Sequence, residues 1–182
     1  KQKFLDWMNP QIENNLIDVA SGTGDIAKIY SKRINNSAEI YCVEPNEEML
    51  TIGKDNLKKY KNVKWYKSMA EKLLFNDDSF DFYTISFGIR NVSNINLALK
   101  EAYRVLKPGG RFMCLEFSKI DNEIINLLYQ KYSKAIPFVG KYIVGSSKPY
   151  EYLIESINDF YSQHQLVELI KKNGFSDVEY RN

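Results

Sequence analysis

A short apolar run, a turn of small residues and the start of a helical pattern follow one another between Ile17 and Ala27. Gly22 and Gly24 lie in that turn, where glycine can adopt backbone angles that a Cβ atom forbids and lets a ligand approach the main chain. A strand, a glycine turn and a helix in this order form the first unit of a nucleotide-binding α/β sheet. The segment therefore predicts an α/β fold with a nucleoside-containing ligand bound at this turn.

The residue after the second glycine narrows the choice of ligand. Asp25 lies where a dinucleotide would place its pyrophosphate, at the N-terminus of the predicted helix, and a carboxylate there would repel phosphate charges. A ligand that has an adenosine but no phosphate, such as S-adenosylmethionine, meets no such penalty. Asp18, a polar residue within the first strand, favours the same ligand, although the glycine pattern alone also suits a nicotinamide cofactor.

Composition places the chain among ordinary globular proteins. Its 182 residues predict a single domain over 1–182, and its net charge of +2 gives no reason to expect nucleic-acid binding. Cys42 and Cys114 each lie in an apolar run, which predicts two core thiols in a reducing compartment. One histidine and the lack of a Cys-x-x-Cys pair argue against a metal site.

The sequence starts without Met and stops after a strand-like segment, so we expect that the protein has been trimmed at both termini.

Strand and helix patterns alternate along most of the chain, which predicts a mostly parallel sheet with helices on both faces. Residues 121–160 interrupt the alternation with an aromatic, partly helical insertion that we interpret as a lid over the ligand edge. Its lysines lie among aromatic residues, so a membrane-surface role is an alternative to a folded lid with exposed lysines. The predicted strands are 16–20, 39–43, 63–66, 80–87, 111–117 and 175–180; the predicted helices are 25–34, 46–59, 93–106 and 163–172, with a turn at 107–110.

Candidate binding residues follow the predicted strands, because ligands of such sheets bind beyond the carboxyl ends of the strands. Glu44 comes twenty positions after Gly24 and is placed to accept hydrogen bonds from both ribose hydroxyls. Met69 and Ala70 follow the third strand and could form a flat apolar slot for adenine.

The segment from Ser86 to Asn91 brings a hydroxyl, a glycine, a fixed positive charge and an amide next to the expected methyl donor. Arg90 stays protonated, so it cannot act as a base but can hold an anionic oxygen. His164 lies in a polar neighbourhood at the start of the last helix, and we do not expect it to be catalytic.

Together these segments resemble the UbiE-type C-methyltransferases of ubiquinone and menaquinone biosynthesis. The similarity spans nearly the whole chain, and the Ser-Phe-Gly-Ile-Arg-Asn-Val and Leu-Glu-Phe-Ser segments are its most specific parts. We expect that family's N-terminal helix and final strand to be missing from this sequence. The resembling segments are 16–25, 44–50, 84–92, 103–111 and 115–118, with the late residues Ile136, Pro137, Tyr150, Tyr152, Leu153, Ser156 and Ile157.

The resemblance implies a Rossmann-like class I methyltransferase fold and methylation of a polyprenylated quinol at a ring carbon. Family members often carry Thr at the position of Ala27 and Asp at that of Glu44. The contacts with S-adenosylmethionine implied by the resemblance are Ala27, Glu44, Met69, Ala70 and Ser86, and the glycine turn adds Asp18, Ser21, Gly22 and Gly24.

For the reaction, we expect Arg90 and Asn91 to stabilise the phenolate that forms when a quinol hydroxyl loses its proton, with a bound water relaying that proton.

The expected location is the cytoplasm, at the inner membrane surface, or the mitochondrial matrix in a eukaryote. The expected partner is the prenylated quinol, with a homodimer or a biosynthetic complex also open. Three alternatives remain: a nicotinamide oxidoreductase, a non-catalytic S-adenosylmethionine-binding subunit, and a methyltransferase for another small aromatic or lipid-like acceptor. A benzoquinol and a naphthoquinol acceptor are equally compatible with the sequence.

Overall fold

The structure, a computed structural model, describes residues 1–118 and 148–182. It has two compact units, Lys1–Glu116 and Phe117–Asn182. A single domain over 1–182 stays a prediction. Most of the predicted lid at 121–160 lies outside the described residues.

The first unit contains a five-stranded sheet, and every strand pair in it is parallel. This confirms the parallel α/β fold expected from the alternating pattern. The elements are α1 (Gln2–Met8), β1 (Leu16–Val19), α2 (Asp25–Arg33), β2 (Ile40–Val43), α3 (Glu47–Asn56), β3 (Val63–Tyr66), β4 (Phe80–Ser86), a 3₁₀ turn (Ile89–Asn91), α4 (Ile95–Val105) and β5 (Leu106–Leu115).

The strand order is β3-β2-β1-β4-β5, so the direction of winding reverses between β1 and β4. Right-handed crossovers on either side of that reversal put the helices after β1 and β2 on one face and the helix after β4 on the other. β1 is buried over its whole length, as expected of a central strand covered on both faces. Neighbouring loops part at such a reversal, which creates a crevice at the carboxyl edge of the sheet.

Side-chain caps fix where two helices of this unit begin. Asn46 accepts a hydrogen bond from the backbone N–H of Met49 at 3.0 Å, and Glu47 at the start of α3 adds negative charge where the helix dipole favours it. Asn94 caps α4 by accepting from the N–H of Leu97 at 3.1 Å. The predicted Asn46 cap is confirmed, and of the two residues proposed for α4, Asn94 is the cap.

The predicted turn at 107–110 is present as a break in the pairing of one longer strand, and Gly109 has the positive φ of 79° that a turn requires. These residues lie within β5, whose pairing with β4 begins at Phe80↔Leu106 and resumes at Phe82↔Arg111. Four residues of β5 therefore stand opposite the single residue Asp81, which forms a bulge. The proline and glycines that suggested a chain stop are accommodated in this irregular part of the strand.

The second unit contains α5 (Lys148–Asp159) and α6 (Gln163–Lys172). A reciprocal cap begins α6: Ser162 accepts from the N–H of Gln165, whose side chain accepts from the Ser162 N–H. The strand predicted at 175–180 is wrong, because these residues pair with no strand and none of them is buried. Within the described ranges, no helix is long and apolar enough to cross a membrane.

The predicted burial of the cysteines is confirmed for Cys42 but not for Cys114. Cys42 on β2 is buried in the core, whereas Cys114 on β5 is half-buried. Burial raises the pKa of both thiols, so both stay protonated and unreactive at neutral pH.

Candidate functional site

A cavity of about 470 Å³ opens at the carboxyl edge of the sheet, within the first unit. Its volume is in the range of small-molecule binding sites. The loops that follow β1, β2, β3 and β4 all contribute to its walls, as the strand order requires. The residues that line it are Lys1, Val19, Ala20, Ser21, Gly22, Thr23, Asp25, Glu44, Pro45, Met49, Met69, Ala70, Glu71, Ser86, Phe87, Gly88, Asn91, Val92 and Ser93.

The glycine turn after β1 forms one wall of the cavity. Gly22 has a φ of 58°, and a Cβ atom built there would meet no atom within 4 Å. The Ser21 hydroxyl donates a 2.6 Å hydrogen bond to the backbone carbonyl of Asp18, which ties the turn back onto its own strand. The turn therefore presents main chain to the cavity, as the sequence predicted.

Glu44 joins the ends of β1 and β2 through its carboxylate. Oε2 accepts from the N–H of Gly22 at 2.8 Å, and Oε1 accepts from the N–H of Asn46 at 2.9 Å. A carboxylate oxygen can accept two hydrogen bonds, so each oxygen keeps a site for a ligand hydroxyl. The side chain is thus fixed in place and still able to hold a ribose.

Two predicted contact residues lie outside the cavity. Gly24 has a φ of 84°, and a Cβ atom there would lie 2.6 Å from Cδ1 of Leu57 and 3.0 Å from Cζ2 of Trp65. Ala27, in the first turn of α2, is fully buried in the core. Both residues serve helix packing in this structure, and sequence spacing alone could not separate that role from ligand contact.

Asp18 is buried beneath the turn and does not line the cavity either. Its Oδ1 accepts a 2.6 Å hydrogen bond from the Thr84 hydroxyl on β4. Burial raises the pKa of Asp18 from 3.8 to about 6, and the Thr84 hydrogen bond and the charge of Lys1 only partly oppose that rise. Asp18 thus connects the glycine turn, through its carbonyl, to β4, through its carboxyl.

The loop after β3 holds the two residues that were predicted to border adenine, and that role stays a prediction. Met69 is 53% exposed, whereas Ala70 is buried, and both line the cavity. The loop is closed by the N–H of Lys72, which donates to the carbonyl of Met69 at 3.1 Å. Glu71 accepts from the N–H of Ser93 at 2.7 Å and so connects this loop to the one after β4.

The loop after β4 is unusually constrained. Phe87 has a φ of 57°, a strained conformation for an aromatic residue, and such strain concentrates at functional sites. A Cβ atom on Gly88 would overlap the Cβ of Ala20, so the loops after β1 and β4 touch at this point. Ser86 begins the loop, and its buried hydroxyl has no hydrogen-bond partner among the described residues.

The structure separates the two residues predicted to be catalytic. Asn91 lines the cavity, whereas the Arg90 side chain does not. The Arg90 guanidinium forms a buried ion pair with Glu116, just after β5, and the two side chains are only 7% and 3% exposed. The catalytic roles of Arg90 and Asn91 stay predictions.

Several charged residues of the cavity were absent from the predicted contacts. Asp25 was used to exclude phosphates but not assigned to the ligand, and it forms a 2.6 Å ion pair with Lys1 in the cavity wall. Glu71 gave no sequence signal beyond its place after β3.

His164, in the second unit, contacts the Tyr180 hydroxyl at 3.3 Å. No group of three or more metal-ligating side chains occurs in the described ranges.

The residues present fit S-adenosylmethionine. Open space at Gly22, the acid held at Glu44 and the unpartnered Ser86 hydroxyl lie around one cavity. Three carboxylates and one ammonium line it (Asp25, Glu44, Glu71 and Lys1), which suits a cationic sulfonium and disfavours phosphates.

Comparisons with known proteins agree with this geometry. The ubiE/COQ5 methyltransferase family matches residues 1–182. The ubiquinone/menaquinone biosynthesis C-methyltransferase UbiE of Rickettsia prowazekii (strain Madrid E) is 48% identical over a 189-residue alignment that covers 100% of this chain and 76% of the relative. The UbiE of Rickettsia bellii (strain OSU 85-389) is 46% identical with the same coverage. A SAM-dependent methyltransferase structure from Aquifex aeolicus superposes with a TM-score of 0.70 at 20% identity, covering 95% of this chain and 78% of that one, which shows the fold.

Proposed function

The chain belongs to the ubiE/COQ5 methyltransferase family and is an S-adenosylmethionine-dependent C-methyltransferase, and from this we propose that its acceptor is a ring carbon of a polyprenylated quinol. The relatives are enzymes of ubiquinone and menaquinone biosynthesis, and this chain acts in the same biosynthesis. The match to relatives of quinone biosynthesis carries the acceptor, and the cavity at the carboxyl edge, with Glu44 fixed beside the backbone of Gly22, supports the donor site.

The donor site consists of the loops after β1, β2 and β3. Gly22 offers main chain, Glu44 accepts from the ribose hydroxyls, and Met69 with Ala70 borders the adenine. When bound, S-adenosylmethionine supplies an electrophilic methyl group. The chain positions the acceptor carbon and excludes water around it.

The acceptor site lies at the loop after β4. Asn91 can hold the quinol oxygen directly, because its side chain borders the cavity. The Arg90 guanidinium does not line the cavity, but its positive charge favours an anionic oxygen of the quinol there. Because Arg90 is paired with Glu116, this stabilisation is weaker than an unpaired guanidinium would give. These groups favour the phenolate against the opposing charge of the cavity carboxylates, a bound water carries the hydroxyl proton away, and the phenolate makes the neighbouring ring carbon nucleophilic.

A prenylated acceptor is itself a membrane lipid, so the protein meets its substrate at the membrane surface. Peripheral contact at an inner membrane, and a homodimer or biosynthetic complex, are parts of this proposal. Lysines and aromatic residues of 121–160, most of which lie outside the described residues, would supply the contact.

Methyl transfer tests the proposal directly. The full chain is incubated with labelled S-adenosylmethionine and short-chain demethylated benzoquinol or naphthoquinol, and the label is located in the product. We expect label on a ring carbon of at least one quinol. Label on oxygen, or on neither quinol, would exclude the proposed reaction.

A further inference from the structure

Ionisation of a bound quinol would add a negative charge to a cavity wall that is already acidic. Three carboxylates and one ammonium line the cavity within the described ranges: Asp25, Glu44, Glu71 and Lys1. Like charges in a partly enclosed site repel strongly, so a phenolate is costly there if its proton leaves the cavity. If one of the three carboxylates takes the proton instead, the total charge of the cavity does not change.

Two of these carboxylates are poorly placed to take a proton, because both are fully used as anions. Glu44 accepts from the N–H of Gly22 with Oε2 and from the N–H of Asn46 with Oε1. A proton on either oxygen would turn that oxygen into a hydroxyl, which is a donor where the backbone needs an acceptor. Asp25 is paired with the Lys1 ammonium at 2.6 Å, and a proton there would remove one of the two charges of the pair.

Glu71 keeps its hydrogen bonds on one oxygen. Its Oε1 accepts from the N–H of Ser93 at 2.7 Å and from the N–H of Asn94 at 3.1 Å. Its Oε2 makes no hydrogen bond within the described ranges, and the side chain is half-buried in the wall of the cavity. A proton can therefore bind to Oε2 while Oε1, as the carbonyl oxygen of the acid, still accepts from both N–H groups.

The position of Glu71 brings this oxygen to the acceptor loop. Glu71 is the third residue of a turn that is closed by the N–H of Lys72, which donates to the carbonyl of Met69 at 3.1 Å. The N–H groups that Glu71 holds belong to the loop after β4, where Ser93 follows Asn91 by two residues. The Cα atoms of Asn91 and Ser93 are thus at most about 8 Å apart. Glu71 and Asn91 border the same part of the cavity, so a bound water can connect Glu71 to a quinol hydroxyl that Asn91 holds.

From this we propose that Glu71 is the proton acceptor of the reaction. The quinol O–H bond breaks, its electron pair stays on the oxygen, and its proton passes through the bound water to Glu71 Oε2. The cavity then contains a phenolate and a neutral Glu71 in place of a phenol and a carboxylate. The inference rests on the proposed function and adds to it the group that receives the proton.

The same carboxyl group completes the proton balance after methyl transfer. The phenolate ring supplies the electron pair of the new carbon–methyl bond, and the pair of the broken methyl–sulfur bond stays on sulfur. The methylated ring carbon then loses its hydrogen as a proton to water, and the electron pair of that C–H bond returns to the ring. The oxygen recovers its proton from Glu71, so one proton leaves overall and Glu71 is charged again.

A carboxylate that only ties two loops together would make the same hydrogen bonds, so the test must separate the two roles. Glu71→Gln does so, because an amide oxygen can still accept from both N–H groups but cannot take up the proton. Glu101→Gln is the matched control. Glu101 accepts from the N–H of Leu73 in the same loop at 2.7 Å and is paired with Arg104, and neither side chain lines the cavity.

Methyl transfer is measured with the short-chain demethylated quinol that the original chain methylates, over a range of pH. We expect Glu71→Gln to lower kcat by about 10²–10⁴-fold, the usual contribution of a general base. The KM of the quinol, and the affinity for S-adenosylhomocysteine in calorimetric titration, should each stay within about threefold. Glu101→Gln should keep kcat within about threefold as well.

The pH profile gives a readout that a loop tie would not change. The kcat of the original chain should fall on the acid side as Glu71 takes up a proton, and this fall should be missing from Glu71→Gln. Tyr83 on β4 interacts electrostatically with Glu71, but burial raises the pKa of Tyr83, so it stays neutral throughout. Asp18, whose pKa is about 6, is present in both chains, so any effect of its titration appears in both profiles.

Three results would overturn the inference alone: a kcat within about threefold in Glu71→Gln, profiles of the same shape in both chains, or an equal loss in Glu101→Gln. A raised KM with an unchanged kcat would identify Glu71 as a loop tie and overturn it too. If the original chain methylates neither a benzoquinol nor a naphthoquinol, the proposed function fails and the inference fails with it.

Discussion

A buried ion pair between Arg90 and Glu116 connects the candidate acceptor loop to the end of β5. Breaking such a pair by removing one partner leaves an uncompensated buried charge, which costs far more than replacing both partners together. Arg90 is therefore poorly tested by a single substitution, because loss of folding would look like loss of catalysis.

We expect Arg90→Met to lower the free energy of unfolding by about 3–5 kcal/mol, because Glu116 keeps its charge in a buried site. The double variant Arg90→Met, Glu116→Gln should regain most of that stability in denaturant unfolding. If Arg90 assists the quinol phenolate, the double variant will still bind S-adenosylhomocysteine but will turn over slowly. Normal turnover in the double variant would show that the pair is structural only.

The raised pKa of Asp18 makes stability depend on pH in a defined direction. Between pH 3.8 and about 6 the folded state binds more protons at this carboxyl than the unfolded state does, so stability falls as pH rises through that window. Above it, the charged, buried carboxylate costs up to about 3 kcal/mol.

Asp18→Asn should remove this dependence. Chemical denaturation at pH 4 and pH 8 measures the change, and the pH-independent cost of a buried amide cancels between the two values. We expect the stability of the variant relative to the original chain to be more favourable at pH 8 than at pH 4, by about 2 kcal/mol. An equal shift at both pH values would show that Asp18 titrates normally.

At the scale of elements, packing between α3 and β3 outweighs helix propensity. Gly53 lies inside α3, where alanine is normally preferred by about 1 kcal/mol. A Cβ atom at Gly53 would overlap the Trp65 ring on β3, which also lies 3.0 Å from a Cβ built on Gly24. Both glycines therefore make room for one indole.

Gly53→Ala should thus lower the free energy of unfolding by about 1–3 kcal/mol instead of raising it. In a Trp65→Leu background the same substitution should cost much less, because the overlap is gone. Thermal or urea denaturation of the four chains gives the comparison. A stabilising Gly53→Ala in the original background would mean that the indole moves aside at little cost.

Elements with strong local signals were predictable from the sequence, and those set by pairing were not. The caps at Asn46 and Ser162 are local, so α3 and α6 begin where the sequence placed them. The bulge in β5 depends on its register with β4, which proline and glycine content does not reveal. Likewise the ion pair of Arg90 joins residues 26 positions apart, so the sequence showed its charge but not its partner.

At the scale of the whole molecule, the candidate site lies at the carboxyl edge of the five-stranded sheet. The order of strands and the glycine turn together placed seven of the predicted residues on the cavity: Ser21, Gly22, Glu44, Met69, Ala70, Ser86 and Asn91. Four other predicted residues do not line the cavity: Asp18, Gly24, Ala27 and Arg90. Only tertiary packing shows which of the predicted residues reach the cavity and which lie behind it.

Ligand binding should stabilise the whole fold by mass action. S-adenosylhomocysteine at about 100 times its dissociation constant adds about 2.7 kcal/mol, which raises the melting temperature by a few degrees. NADH should produce no shift, because Asp25 in the cavity wall repels its pyrophosphate. A comparable shift with NADH would support the oxidoreductase alternative.

The contact between Ala20 and Gly88 couples two positions far apart in the chain. Because a Cβ built at 88 would overlap the Cβ at 20, a larger side chain at 88 requires either glycine at 20 or a shift of one loop. Homologous chains that enlarge position 88 should have moved the two loops apart and reshaped the crevice with them. Paired changes at 20 and 88 would then reshape the crevice while Gly22 and Glu44 stay unchanged.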